Sequence, residues 1–309
     1  MPITPAHGPP PRRYHRAVTT LAGTAIDWFQ RHARDLPWRA AGTDPWAILV
    51  SEVMLQQTPV ARVLPVWWEW LDRWPTPATL AAASPADAIR AWGRLGYPRR
   101  ALRLHQCAAV LVERHGGAVP ASVDALLALP GVGGYTARAV AAFAYRQRHP
   151  VVDTNVRRLL ARCMAGAADA GPATTAGDLA AAAALLPEEP AAAAAASAAF
   201  MELGAVVCTA RAPRCGDCPL ATRCAWRATG ARLPAGSSRR PQRYAGTDRQ
   251  ARGALLAVLR EETGPVPRDR LDLVWVDAAQ RGRALAGLLG DGLVVAVPDG
   301  RIALAGDAP

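Results

Sequence analysis

Cys208, Cys215, Cys218 and Cys224 fall within seventeen residues, with the spacing C-x6-C-x2-C-x5-C. Four thiolates so close along a chain can enclose one metal centre, either a structural zinc ion or a [4Fe–4S] cluster. Zinc modules usually repeat a tight C-x2-C knuckle twice, and only one such knuckle is present. A disulfide pair is the plainer third reading. A different chemistry is suggested upstream by Glu52, which lies inside the apolar run from Trp46 to Leu55. Loss of water there favours a protonated carboxyl group and suits it to acid catalysis. The plainer alternative is a glutamate on an exposed helix surface.

A third feature is Leu129-Pro130-Gly131-Val132-Gly133, set between helical stretches over 122–128 and 134–146. Glycines let the chain turn tightly and bring backbone N–H groups close to an anion. The following helix then begins with its positive end at the same place. The pattern resembles a helix–hairpin–helix, which grips a DNA phosphate without reading sequence. An ordinary turn between two helices is the alternative. Some twenty residues later comes Val152-Asp153-Thr154-Asn155-Val156. A glycine hairpin with a downstream aspartate resembles the helix–hairpin–helix superfamily of DNA glycosylases.

Two further segments narrow the resemblance. The cysteine spacing is similar to the cluster loop of the endonuclease III and MutY family. Ser51-Glu52-Val53-Met54-Leu55-Gln56-Gln57-Thr58 matches the MutY-type adenine glycosylases residue for residue, whereas endonuclease III relatives carry glutamine where Glu52 stands. Over roughly residues 20–226 the resemblance implies a mostly α, helix–hairpin–helix glycosylase fold with a [4Fe–4S] cluster on Cys208, Cys215, Cys218 and Cys224. It implies that Glu52 protonates the purine and later activates water. Asp153 stabilises or attacks the oxocarbenium-like sugar, as two carboxylates divide labour in glycoside hydrolysis. Tyr135 and Asn155 hold these groups by hydrogen bonds. Arg34, Leu36, Trp38, Leu55 and Glu202 match positions lining the pocket for a flipped adenine. Gln56, Gln57 and Tyr97 are placed at the DNA, where Gln57 and Tyr97 fill or probe the vacated space. Gly131, Val132 and Gly133 hold a phosphate.

The resemblance also implies a particular product. Tyr135 follows Gly131-Val132-Gly133-Gly134, where bifunctional relatives carry a Schiff-base lysine. Tyrosine cannot form that adduct, and no lysine exists elsewhere to replace it, because all 36 basic residues are arginines. Base removal without efficient strand cleavage is therefore expected, with adenine opposite 8-oxoguanine or guanine as the target. A thymine-mismatch glycosylase shares the tyrosine and the cluster, but Gln56-Gln57-Thr58 and Glu202 argue against it. A non-catalytic iron–sulfur DNA-binding protein would need neither Glu52 nor Asp153. Two departures from the family stand out. Gly96-Tyr97-Pro98 replaces a common G-Y-Y and removes one aromatic of the DNA wedge. Only about 80 residues follow Cys224, too few for the Nudix-like domain that many members add.

The elements that must position these groups are read from pattern. Residues 1–16 read as a disordered basic tail and 17–226 as a helical body. Trp67, Trp70, Leu71 and Trp74 recur at helical spacing, and the tryptophans are expected in its core, with a base-stacking platform as the alternative. Cys107 and Cys163 sit in apolar helical patterns and are expected as buried thiols. Residues 227–247, with Arg239, Arg240 and Arg243, read as a basic linker. Residues 248–309 are expected as a small winged-helix-like module: helices over 248–262, 268–275 and 277–290, then a hairpin through Pro298-Asp299-Gly300. The net charge of +11 favours a polyanionic partner, though a ribosome-like partner or a membrane surface would also fit it, and the resemblance implies double-stranded DNA. No signal peptide and no bilayer-spanning run is visible, so a cytoplasmic, nucleoid-associated monomer without a membrane partner is expected.

Overall fold

The structure is a computed structural model and describes residues 20–171, 173–233 and 244–307. The tail expected over 1–16 lies outside the described residues. So does the middle of the expected linker, 234–243, with its three arginines.

Fifteen α-helices and one β-hairpin are seen among the described residues. In chain order the helices are α1 (Leu21–His32), α2 (Pro45–Met54), α3 (Val60–Arg73), α4 (Pro77–Ala82), α5 (Pro85–Ala91), α6 (Arg99–His115), α7 (Val123–Leu127) and α8 (Gly134–Tyr145). There follow α9 (Thr154–Ala165), α10 (Ala176–Leu185), α11 (Pro190–Val206), α12 (Ala225–Ala228), α13 (Asp248–Glu261), α14 (Arg268–Asp272) and α15 (Ala278–Gly290), then β1 (Val294–Ala296) and β2 (Ile302–Leu304). Most starts carry a visible signal. Thr20, Asp44, Ser122, Asp153 and Thr247 each accept a backbone N–H of the first turn through the side chain. Pro45, Pro85 and Pro190 stand at first helical positions, where the missing N–H costs nothing.

The chain divides into two compact units. The first holds the described residues through Asp35 and from Arg146 to 233. Helices α1, α9, α10 and α11 close on an apolar core that includes Trp28, Leu159, Leu160, Phe200 and Leu203. Alanine makes up most of α11, so α1 and α9 pack closely on it.

The second unit holds Leu36–Tyr145 and 244–307. Its main core is aromatic. Trp67, Trp70 and Trp74 are buried, as their spacing predicts, and Trp70 meets both Trp74 and Trp92 edge-on at 4.9 and 5.4 Å. A second cluster joins Ala86 and Ile89 of α5 to Leu255, Leu256, Leu288, Ile302 and Leu304. Residues 248–307 thus share a core with α5. Arg90 forms an ion pair with Asp307, and Arg260 donates to the Ile89 carbonyl at 2.9 Å. The antiparallel hairpin pairs Val294 with Leu304 and turns at Gly300 (φ +84°), and Val266 bridges to Ile302.

Candidate active site

In the second unit, α2 carries Glu52. The helix is buried from Trp46 to Met54, and Glu52 is only 5% exposed. Burial on all sides explains why its sequence is apolar without period. Directly after α2 the chain turns through Leu55, Gln56 and Gln57. Gln56 Nε2 donates to Thr136 Oγ1 at 3.3 Å, which ties this turn to the start of α8 beside the half-buried Tyr135. Leu36 and Trp38 are buried in the main core, where Trp38 meets Trp67 edge-on, and Leu55 packs against the same core. Tyr97 is 54% exposed.

The glycine hairpin joins α7 to α8 within one residue of the boundaries the sequence predicts. Val132 is buried, while Gly131 and Gly133 are exposed. Gly131 adopts φ +79°, and a Cβ there would stand 2.7 Å from Arg103 Cβ, so both conformation and space require glycine. The exposed hairpin backbone leads straight into the N-terminus of α8, the arrangement that suits an anion.

In the first unit, Asp153 caps α9. Its Oδ1 accepts the Val156 N–H at 2.7 Å and its Oδ2 accepts from Asn155 Nδ2 at 2.8 Å. The carboxylate therefore sits at the positive end of a twelve-residue helix. Arg158 Nη2 donates to Asn155 Oδ1 at 2.9 Å and to the Gly204 carbonyl at 2.6 Å, while its Nε donates to the Cys208 carbonyl at 2.8 Å. One arginine thereby links the Asp153–Asn155 pair to the start of the cysteine loop. Burial lowers the pKa of its guanidinium. Elsewhere in this unit, fully buried Glu202 forms a fork with Arg34: Nε to Oε1 at 2.7 Å and Nη2 to Oε2 at 2.8 Å. Hydrogen bonding to Glu202 raises the Arg34 pKa. Sequence reading places both residues at a pocket but does not anticipate that they pair.

All four loop cysteines line one small cavity, with Leu159, Val207, Leu220 and Trp226 as apolar wall. None is in a disulfide. Among the described residues, no three Cys, His, Asp or Glu side chains converge closely enough to hold one metal ion. Four thiols around one shared space are the donor set that an iron–sulfur cluster takes. Arg162 lies over the Trp226 ring and brings Nη1 to 3.5 Å from Cys208 Sγ, a cation beside the anionic ligand set. Burial pushes the Cys218 thiol up to about 11, so loading of iron must displace protons. Cys107 and Cys163 are buried as expected, their thiols pushed up to about 12 by burial. Arg158 and Arg162 are not anticipated by the sequence reading. The available signal is that Arg158 and Arg162 fall in phase with the buried Val156, Leu159 and Cys163.

Comparison with known proteins decides the family. Residues 50–182 match the HhH-GPD superfamily of base excision DNA repair proteins, and residues 208–224 match the iron–sulfur binding domain of endonuclease III. The adenine DNA glycosylase of Mycolicibacterium smegmatis is 60% identical over 91% of this chain and 95% of its own. The chain belongs to the adenine DNA glycosylase family. As an adenine DNA glycosylase family member it acts on DNA and carries an iron–sulfur cluster, and the matched iron–sulfur binding domain spans the four loop cysteines. The fold of the family extends to solved structures. A thermostable thymine-DNA glycosylase superposes with a TM-score of 0.62 at 25% identity, covering 67% of this chain and 95% of that one. A trapped endonuclease III–DNA covalent intermediate gives 0.58 at 23% identity, covering 68% and 95%, a likeness of fold. No helix among the described residues is long and apolar enough to cross a membrane.

Proposed function

We propose that this protein excises adenine mispaired with 8-oxoguanine or guanine from double-stranded DNA and leaves the abasic strand uncut. The observation that carries the reading is Glu52, a carboxyl group 5% exposed on an otherwise apolar helix, inside Ser51-Glu52-Val53-Met54-Leu55-Gln56-Gln57-Thr58. The relatives of matching length are named adenine DNA glycosylases. In this reading Glu52 delivers a proton to the purine, which becomes a neutral leaving group, and then activates the attacking water. Asp153 faces the cationic sugar as an anion, supported by the Asn155 amide and the Val156 N–H. Tyr135 and Asn155 act as positioning groups. Arg34, Leu36, Trp38, Leu55 and Glu202 shape the adenine pocket, which the base enters by leaving the duplex, because its glycosidic bond is unreachable within the stack.

Gly131, Val132 and Gly133 take a backbone phosphate, and Gln56, Gln57 and Tyr97 occupy the gap in the helix. With tyrosine at 135 and no lysine in the chain, no Schiff base forms and the strand is not cut. The body extends over 17–226, the linker over 227–247 and a winged-helix-like module over 248–309, which adds phosphate contacts beside the lesion. The protein works as a monomer in the cytoplasm, at the nucleoid. The test is base release from duplexes carrying adenine or thymine opposite guanine or 8-oxoguanine, with and without alkali. Adenine release with strand breakage only after alkali is expected. Thymine release, or breakage without alkali, overturns the reading.

A further inference from the structure

The guanidinium of Arg100 reaches five acceptors on three pieces of backbone. Nη1 lies 2.9, 2.9 and 2.6 Å from the carbonyls of Val53, Met54 and Gln56. Nη2 lies 2.9 Å from Thr58 Oγ1 and 3.0 Å from the Gly96 carbonyl. Val53 and Met54 end α2, where carbonyls have no partner within the helix and a cation is favoured. The other acceptors belong to the Gln56–Thr58 turn and the Gly96–Tyr97 turn. Both turns contain a residue with left-handed backbone, Gln57 at φ +56° and Tyr97 at φ +47°. Such conformations cost energy for residues other than glycine and persist only where surroundings over-determine them. The Arg100 group also lies 5.1 Å from the Trp92 ring centre and 5.5 Å from that of Tyr97. It binds both turns at once, alongside a longer bond of 3.4 Å from Thr58 Oγ1 to the Leu95 carbonyl.

The three pieces depend on it unequally. The end of α2 is fixed independently, since Ser51, Glu52, Val53 and Met54 are all at most 5% exposed. Gln57 and Tyr97 are exposed and have no core to hold them. We infer that Arg100 is a positioning residue that locks the Gln56–Thr58 and Gly96–Tyr97 turns together, so that Gln57 and Tyr97 enter the DNA stack as one unit. The inference rests on the proposed base excision and assigns Arg100 to extrusion of the base, not to bond cleavage. Lysine would keep the charge but not the planar fork that spans two turns.

Extrusion is read directly with 2-aminopurine placed beside the target adenine, whose fluorescence rises when its neighbour leaves the stack. The comparison is made in the Glu52→Gln background, where the bond stays intact, with Arg100 retained or changed to Gln. Measurements are taken at a temperature where both proteins keep the full helical signal. Loss or slowing of the rise by about 10²-fold is expected, the scale of a misplaced working group. Arg100→Lys should recover only part of it, and it replaces Arg100→Gln in the comparison should the latter fail to fold. An unchanged rise in the variant overturns the inference, whether or not base release falls. A full rise in Arg100→Lys also overturns it, because charge alone would then suffice. Failure of the protein with Arg100 and Glu52 both intact to release adenine would instead count against the proposed function.

Discussion

Replacing Gly204 by alanine is a small change with a calculable consequence. A Cβ at this position would stand 2.6 Å from the Asn155 carbonyl oxygen, 2.8 Å from its carbon and 2.9 Å from Asn155 Cβ. Ordinary contact begins at 3.4 Å, so α11 and the start of α9 must separate by about 0.8 Å, the shortfall at the closest approach. Two of the three atoms are backbone, so no side-chain rotation can relieve the clash. Overpacking of this kind costs about 1–3 kcal/mol. The displaced residue is also the one whose amide holds Asp153 at 2.8 Å. Shifts of this order in a positioned group cost up to about 10²-fold in rate. Urea unfolding at constant slope should report the stability loss, and single-turnover adenine release at low temperature should report the rate loss in the folded fraction. Wild-type stability would refute the packing argument. Lower stability with an unchanged rate would refute the link from Gly204 through Asn155 to Asp153.

Glu52→Gln and Asp153→Asn keep size and should each lower base release by roughly 10²–10⁴-fold while DNA binding survives; wild-type turnover by either would show the roles to be misassigned. Purified protein should be brown with about four irons per chain, and chelation that strips the iron should bleach it; a colourless protein with one zinc would overturn the cluster. Borohydride should trap almost no covalent complex with DNA, and robust trapping would mean that an amine other than lysine attacks the sugar. Truncation after Arg227 should weaken duplex binding and flatten its dependence on salt, because fewer counterions are released. It should also lower stability, since Ala86 and Ile89 lose their partners; unchanged binding would leave residues 248–307 with a purely structural part.

Local signals carried much of this architecture. The turn at Gly131 and the caps before α7 and α9 define their elements from adjacent residues alone. The tryptophan spacing of α3 announces a buried face, and the cysteine loop announces itself by closeness along the chain. The unreadable part is what long-range packing decides. Arg34 and Glu202 pair across 168 residues of sequence. Arg34 and Leu36, two residues apart, belong to different units. Arg100, Arg158 and Arg162 look like surface charges in the sequence, because arginine is seldom buried. Arg158 and Arg162 are buried and Arg100 half-buried, each against carbonyls that only the folded backbone assembles.

The pairing of α1 with α11 has a consequence for biogenesis. Roughly 160 residues separate the two helices, so at about 5–20 residues per second a ribosome exposes α1 for roughly 8–32 s before its partner emerges. The apolar face with Ala22, Ala25 and Trp28 has no permanent cover in that interval, and a chaperone that shields short apolar helices would find a binding site there. Iron delivery comes later still, because Cys224 leaves the tunnel after α11. Nascent chains stalled before that residue should therefore collect no cluster, and those released after it should mature without further synthesis.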